Sequence, residues 1–267
     1  FTHYTNRDDI PQNWLDDNNL DDETYYRDNN VGIRSEIIIT KLSRWILLVG
    51  YDLDFASSDV DLLNPIFDNP SQFSIGGFIQ SKYSIGNGFN LSTGLRYDFR
   101  RTNPGENYLK QKYQNITPKM ILSYNGNRNK SFTISYSQGF RAPSISELYL
   151  QHQTTYGLFV QGNESLQPES VKSFEITHNH KYNDNWLYSI SIFHNRYSNM
   201  IDFIYNIPTI ADNRNGVIAN GFEYSFAFQP SIKFDFFIRG NYNYLDMVDI
   251  DESSILFMRG AGPIGYP

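Results

Sequence analysis

Apolar and polar residues alternate one by one along segment after segment of this 267-residue chain. Such a period of two places one set of residues on each face of a β-strand. We therefore expect strands with one apolar and one polar face, and we find no comparable helical periodicity. Between residues 89 and 100, one set holds Phe89, Leu91, Leu95, Tyr97 and Phe99, and the other holds Asn90, Ser92, Gly94, Arg96, Asp98 and Arg100.

Ten segments follow this alternation, and each is predicted to form a β-strand. Many exceed the roughly 5 to 6 residues that are usual for strands of soluble proteins. They agree better with the roughly 9 to 11 residues of a tilted strand that crosses a bilayer, with an extension beyond it. The predicted strands lie at about residues 31–40, 44–57, 72–84, 89–101, 113–125, 130–141, 171–182, 186–204, 214–229 and 232–245.

The connections between these segments alternate strictly between short and long. A membrane barrel with tight periplasmic turns and long extracellular loops produces this order. A soluble sandwich has no physical reason to keep all its long loops at one end. The short connections fall at about 41–43, 85–88, 125–129, 183–185 and 230–231, and the long ones at about 58–71, 102–112, 142–170 and 205–213.

The composition fits strands that are apolar on one side only. Aromatic residues make up 16% of the chain, yet its mean hydropathy is −0.49, because rings alternate with polar side chains. No apolar run approaches the roughly 18 to 20 residues of a transmembrane helix, so the chain can cross a membrane only as a closed barrel. Residues near short turns, where an aromatic girdle is expected at the membrane interface, include Trp45, Phe89, Trp186 and Phe234.

Charge and residue usage exclude several function classes. The formal net charge is −7 and the 22 Lys and Arg residues are scattered, which argues against a nucleic-acid partner. With 0 cysteines the chain has neither disulfides nor a cysteine-based metal site. His178 and His180 share a strand face but lack a third ligand, so we predict no metal site. No motif supports a catalytic set, so we predict no enzyme activity and no resident cofactor.

Residues 135–149, which read Ser-Tyr-Ser-Gln-Gly-Phe-Arg-Ala-Pro-Ser-Ile-Ser-Glu-Leu-Tyr, resemble a signature of TonB-dependent receptors. These proteins import siderophores, haem and cobalamin across the outer membrane of Gram-negative bacteria. In this family an Arg-Ala-Pro strand end enters a long extracellular loop, which returns through an Asn…Leu…Pro-Glu stretch to a strand with a Glu. The matching residues here are Phe140, Arg141, Ala142, Pro143, Asn163, Leu166, Pro168, Glu169 and Glu175.

Three residues of the return stretch depart from the family pattern. Glu164 and Ser165 replace the usual Pro and Asp, and Gln167 replaces the usual Lys or Arg. Loss of the proline ring at position 164 removes a fixed φ, so we expect a looser stretch than in relatives.

The resemblance implies the fold class: all-β, an antiparallel transmembrane β-barrel segment. It implies about 10 strands of a barrel of about 22, which closes around an N-terminal plug. Residues 1–267 are then a partial barrel domain, and the plug domain is expected to be absent from this chain. The implied surroundings are outer-membrane lipid of a Gram-negative bacterium, and the implied partner is the TonB–ExbB–ExbD complex, which acts through the plug.

The resemblance also implies a receptor that binds a scarce small-molecule ligand at its extracellular loops and imports it with energy supplied by TonB. Ferric siderophore is the first candidate ligand, followed by haem and then cobalamin. Loop 142–170 is rich in aromatic and amide groups, which grip a conjugated or macrocyclic ligand by stacking and hydrogen bonding. Haem receptors of the family place a histidine between the two motifs, as here. The predicted ligand contacts are Tyr149, His152, Tyr156 and Phe159.

Arg141 ends its predicted strand beside Pro143, and it is expected to pair with Glu147 or Glu169 and fix the direction in which the loop leaves. Two other functions stay open. A passive outer-membrane channel or structural barrel shares the strands but leaves the paired loop motifs unexplained. A secreted all-β carbohydrate-binding domain would pack its aromatic faces against each other instead of against lipid.

Overall fold

Eleven antiparallel strands form one sheet in a computed structural model of the chain. The structure describes residues 2–6, 23–60, 70–105, 110–126, 129–153, 159–183, 185–204, 208–214, 216–231 and 233–248. The strands of this sheet are β1 (Thr2–Asn6), β2 (Glu23–Leu42), β3 (Trp45–Val60), β4 (Ser71–Gly86), β5 (Phe89–Asn103), β6 (Gln111–Asn125), β7 (Lys130–Arg141), β10 (Glu169–Asn183), β11 (Trp186–Ser198), β14 (Gly216–Ser231) and β15 (Phe234–Val248).

The remaining elements belong to the two long connections that interrupt the sequential order of the sheet. In the sheet β7 pairs with β10, and β11 pairs with β14. The strands between them form a second sheet in the order β12-β13-β9-β8, in which β13 and β9 run parallel. These elements are α1 (Ile145–Tyr149), β8 (Gln151–Gln153), β9 (Phe159–Gln161), β12 (Met200–Ile204) and β13 (Thr209–Arg214).

Nine of the ten predicted strands are present as single strands, and the prediction of a long-stranded antiparallel sheet is confirmed. The prediction of one strand over 186–204 is wrong. Asn199 adopts a φ of 56°, in the left-handed region that asparagine tolerates, and the strand breaks there. Residues 200–204 then leave the large sheet for the small one. The predicted loop 205–213 is correspondingly shorter, because β13 begins at Thr209.

The registers confirm that the two faces of the large sheet differ in polarity. One row across the sheet joins Val49, Ile79 and Leu95, and the latter two are 47% and 49% exposed. A row on the opposite face joins Asp52 to Asp98 through Gly76. In a transmembrane barrel the apolar face contacts lipid and the polar face lines the lumen, and we name the two faces of the sheet accordingly.

The aromatic residues near the short turns lie on the lipid-facing side and contact one another across neighbouring strands. Ring centroids are 4.5 Å apart between Trp45 and Tyr83, and 3.9 Å apart between Trp186 and Phe228. This is the position that the sequence predicts for an interfacial girdle. Within the described ranges, no helix is long and apolar enough to cross a membrane.

A small apolar core lies at the long-loop end of the sheet. Since the lipid-facing residues have no protein layer over them, burial is concentrated where α1 and the small sheet pack together. The cluster comprises Ile145, Leu148, Tyr149, Leu166 and Ala211, with Ile201 and Phe203 packed against it.

Candidate functional site

Arg141 ties together the three segments that form the base of loop 142–170. Its Nη1 and Nη2 atoms donate to the two carboxylate oxygens of Glu147 on α1, each at 2.9 Å. Its Nε donates to Glu169, which lies directly opposite Arg141 where β10 begins. The pairing that the sequence predicts is therefore present with both carboxylates. Charge-assisted, two-pronged bonds of this kind fix direction as well as distance.

Helix α1 starts at this ion-pair network through a capping box. The Ser144 hydroxyl accepts from the Glu147 backbone N–H at 3.2 Å, and Glu147 accepts from the Ser144 backbone N–H at 2.8 Å. Burial acts to raise the pKa of Glu147, but hydrogen bonds from Arg141 and Ser144 outweigh it and hold that pKa below its usual value. Glu147 thus stays ionised and serves the helix start and the ion pair together.

The return stretch packs backbone against backbone with α1. Gly162 donates to the Leu150 carbonyl at 2.6 Å, and Asn163 donates to the Glu147 carbonyl at 2.9 Å. A Cβ added at Gly162 would lie 2.6 Å from the Leu148 carbonyl carbon, so only glycine allows this approach. The Asn163 side chain accepts from the Ser165 N–H at 2.9 Å, which orders the turn where relatives have a proline ring.

The next long connection joins the same unit through Asn213 and Glu169. The Asn213 side chain accepts from the Gln167 N–H at 2.7 Å and donates to the Gln167 carbonyl at 2.8 Å. Glu169 also accepts from the Ile201 N–H at 2.7 Å. Sequence reasoning missed Asn213, Asn199 and Ala211 as parts of the site. No local signal marks them, because the hydrogen-bond partners of Asn213 and Asn199 are 14 to 46 residues away along the chain, and Ala211 packs against residues of the preceding long loop.

Loop 142–170 folds over the lumen-facing side of the sheet and not away from it. The Tyr113 hydroxyl donates to the Leu166 carbonyl at 3.2 Å, and Gln72 donates to the Pro143 carbonyl at 3.3 Å. Gln72 also donates to Thr102, which is fully buried. Tyr113 is itself buried, so its hydroxyl and the Leu166 carbonyl satisfy each other away from water.

Two cavities open beside this loop. The larger measures about 270 Å³ and lies between the loop and strands β2 to β4. Its lining combines the hydroxyl and amide side chains of Asn29, Asn30, Ser57, Ser58, Gln72, Ser144 and Ser146 with Asp28, Ala56, Ile145 and Leu150. The smaller measures about 170 Å³ and lies between the end of α1 and the return stretch. The larger cavity can hold part of a hydrogen-bonding ligand next to the loop base.

The motif residues are brought together at the loop base, with one exception. Ala142 and Pro143 are buried, Leu166 lies in the apolar cluster, and Pro168 accepts a hydrogen bond from Asn199 at 3.4 Å. Phe140 is the last β7 residue before Arg141, and it pairs with Ser170. Glu175 lies farther along β10 on the lumen-facing side, where its carboxylate accepts from Thr177 at 2.7 Å.

The structure describes only some of the residues that the sequence predicts as ligand contacts. Tyr149 is 1% exposed and belongs to the apolar cluster, although it also borders the smaller cavity. The backbone of His152 pairs with Val160, and that of Phe159 pairs with Gln153, but the side chains of His152 and Phe159 lie outside the described part. Tyr156 lies outside the described residues entirely. Contact between these residues and a ligand stays a prediction.

Below the loop, the lumen-facing side carries a network of opposite charges around Arg96. Its two Nη atoms donate to the two oxygens of Asp52 at 2.7 and 2.8 Å, and its Nε donates to Asp98 at 2.8 Å. The guanidinium carbon also lies 5.8 Å from the ring centroid of Phe78, which is 8% exposed. In the described part of the chain, no three His, Asp or Glu side chains are arranged to hold a metal ion.

Comparison with protein families gives one match along almost the whole chain. A family model described as TonB dependent receptor-like, beta-barrel matches residues 1–265. A curated protein, hemoglobin and hemoglobin-haptoglobin-binding protein A of Haemophilus influenzae, is 39% identical over 70 residues. These residues amount to 26% of this chain and 6% of that protein.

Solved receptors share the fold at low sequence identity. The FrpB iron transporter of Neisseria meningitidis (F5-1 variant) is similar with a TM-score of 0.70 and 13% identity, over 95% of this chain and 41% of that chain. The siderophore receptor PirA of Pseudomonas aeruginosa is similar with a TM-score of 0.67 and 16% identity, over 84% of this chain and 44% of that chain. The chain thus spans about two fifths of the receptors that it matches.

Proposed function

Because this chain belongs to the TonB-dependent receptor-like β-barrel family, we propose that it forms part of an outer-membrane receptor that imports a scarce small-molecule ligand. Residues 1–267 supply about half of the barrel wall and the long loops between its strands. The plug and the remaining strands lie in the rest of the receptor, and the TonB–ExbB–ExbD complex supplies the energy through the plug.

The observation that supports this function is the way in which loop 142–170 is built. Arg141, Glu147 and Glu169 anchor it at three points, and it folds inward over the lumen-facing side. A loop that is fixed at its base and directed into the mouth of a barrel suits ligand capture, because a pre-ordered site loses less entropy on binding.

A ferric siderophore is the first candidate ligand. The lining of the larger cavity includes hydroxyl and amide groups beside apolar side chains, and these polar groups can hydrogen-bond the donors and carbonyls of such a molecule. Haem is the second candidate, and one specific observation favours it. A relative named for haemoglobin binding is 39% identical to this chain over 70 residues. Cobalamin ranks third, without a feature of its own.

The proposal is tested by growth of an iron-limited Gram-negative host that carries the full-length receptor as its sole importer for the supplied ligand. Ferric siderophores, haem and haemoglobin are offered separately, in hosts with and without functional TonB. Growth on one iron source that requires TonB is expected. Uptake that persists without TonB would identify a passive channel instead.

A variant pair makes the same test specific to the loop. Arg141→Ala removes the anchor of loop 142–170, and uptake is expected to fall. Arg101→Ala removes an exposed arginine from the lipid-facing side of β5, and uptake is expected to stay unchanged. Equal uptake by both variants would show that this loop does not take part in capture.

A further inference from the structure

The first residue after each described short turn lies on the lipid-facing side of the sheet. At four of the five short turns that lead into β3, β5, β7, β11 and β15, this residue is aromatic: Trp45, Phe89, Trp186 and Phe234. Strand β7 departs from this series because it begins with Lys130. A lysine therefore occupies the strand position at which the neighbouring hairpins have aromatic residues.

Three polar aromatic side chains accompany Lys130. His180 lies directly opposite Lys130 on one side and opposite Tyr188 on the other. His178 follows two residues earlier on the same face of β10, opposite Phe132 and Ile190. We call Lys130, His178, His180 and Tyr188 the Lys130 cluster.

The Tyr188 hydroxyl organises the two imidazoles of the Lys130 cluster. Tyr188 Oη lies 3.1 Å from His180 Nδ1 and 3.4 Å from His178 Nε2. A phenol has one proton, so it donates to one ring and accepts from the other. Each imidazole keeps a second nitrogen for a further hydrogen bond, and His180 lies directly opposite Lys130 on the neighbouring strand.

The described neighbours of the Lys130 cluster supply no negative charge to balance the Lys130 ammonium. Its same-face neighbours by register are apolar or aromatic, namely Phe132, Ile190, Trp186 and Phe226. Within the described strands, these registers place no carboxylate beside Lys130, His178, His180 or Tyr188. A complementary anion is available in the headgroup region, which the lipid-facing side meets at this level.

We propose that the Lys130 cluster binds the phosphodiester headgroup of a membrane phospholipid in the leaflet at the short-turn end. Lys130 supplies the charge, and the imidazole and phenol groups supply hydrogen bonds to phosphate oxygens. The acyl chains lie against Phe132 and Ile190, which belong to the same face. The site is independent of the imported ligand, and it requires only that this sheet be the wall of a transmembrane barrel.

The test is native mass spectrometry of the full-length receptor in detergent, with phosphatidylglycerol added in increasing amounts. Saturable retention of phosphatidylglycerol is expected for the wild type. Lys130→Gln should weaken it by about fivefold, the effect of one lysine near an anionic lipid surface. Tyr188→Phe, which removes only the bridging hydroxyl, should weaken it as well. The matched control is Lys233→Gln, which removes the same charge from another short turn at the same end.

Diacylglycerol, which has the acyl chains without the phosphate, separates headgroup binding from general attraction to lipid. Heat-dependent gel migration confirms that each variant is folded. Loss in Lys130→Gln and Tyr188→Phe, with retention in Lys233→Gln and weak diacylglycerol binding, supports the site. Equal retention by wild type and Lys130→Gln, equal loss in Lys233→Gln, or diacylglycerol binding as strong as phosphatidylglycerol binding would overturn it.

Discussion

Arg96 occupies the space that Gly76 leaves open: a Cβ added at Gly76 would lie 2.0 Å from Arg96 Nη2. Gly76 stands on β4 between Asp52 on β3 and Asp98 on β5. The guanidinium reaches over β4 to Asp52 only because the strand between them carries no side chain at this point. Gly50 likewise leaves room for the Phe78 ring, because a Cβ added at Gly50 would lie 2.5 Å from Phe78 Cζ.

The first prediction concerns the contact that Arg96 makes with Asp52 across Gly76. Gly76→Ala should push the flexible end of Arg96 aside and break its two-pronged bond to Asp52. Because these side chains are about a third and a fifth exposed, the expected loss in the free energy of unfolding is about 1 kcal/mol, near the upper end for a solvent-accessible pair. It is measured by denaturant titration of the receptor in lipid vesicles.

Gly77→Ala is the matched control for that measurement. Gly77 is the next residue on β4 and points to the lipid-facing side, where an added Cβ meets no atom within 4 Å. Its expected effect is zero or slightly stabilising, because alanine has less backbone entropy to lose than glycine. Equal destabilisation by both substitutions would mean that the contact between Arg96 and Asp52 contributes nothing measurable to the free energy of unfolding.

The second prediction concerns the anchor of loop 142–170. Arg141→Lys keeps the positive charge but loses the planar fork that holds Glu147 and Glu169 together. We expect the free energy of local opening at α1 to fall by about 1 kcal/mol, a low value for charged hydrogen bonds because Arg141 is half exposed. Hydrogen exchange of the Leu148 and Leu150 amides measures it. Arg101→Lys is the control, and an equal response there would contradict the assigned role.

The third prediction is a pH dependence that comes from Glu147. Its pKa is lower in the folded receptor than the ordinary value of 4.5. Protection of α1 from hydrogen exchange should therefore be constant above about pH 4.5 and decline as the pH falls through the folded pKa. Glu147→Gln should have weaker protection at neutral pH and no such decline. A decline of the same size in Glu147→Gln would assign it to another group.

Glu164 should show the opposite dependence, which is the fourth prediction. Burial raises its pKa above the ordinary 4.5, so its charge opposes folding of the return stretch at neutral pH. Acidification through the folded pKa relieves this cost, and protection of the return stretch should rise before Glu147 begins to protonate. Glu164→Gln should give that higher protection already at neutral pH. Unchanged protection in this variant would contradict the prediction.

The strands could be predicted from the sequence because apolar and polar residues alternate with a period of two. Side chains alternate between the two faces of a barrel strand with the same period. Phe89 to Arg100 shows this: apart from Thr93, which lies on the apolar face, the side chains fall on the face that their polarity indicates. The base of the loop could be predicted in part, since Arg141, Glu147 and Glu169 carry charge near a strand end. Both carboxylates bind one arginine, and sequence alone did not choose between them.

The small sheet could not be predicted, for physical reasons. Strands β8 and β9 have 3 residues each, which is too short for a period to be read. Their partner β13 comes from a different connection, and its contact depends on the break at Asn199. Tyr149 was expected as a ligand contact on chemical grounds, and its burial results from packing against residues such as Ala211 that no local pattern marks.

The most direct test of the proposed function is calorimetric titration of the folded full-length receptor with ferric siderophores and with haem. Calorimetry is preferable to tryptophan fluorescence because Trp45 and Trp186 lie at the short-turn end, away from the loop. The expected result is saturable, sub-micromolar binding of one ligand, at least tenfold weaker in Arg141→Ala and unchanged in Gly77→Ala. Loss of haem binding in His152→Ala would identify haem as that ligand. Absence of binding to either ligand by the folded wild type, or equal affinity in Arg141→Ala, would contradict a ligand site at loop 142–170.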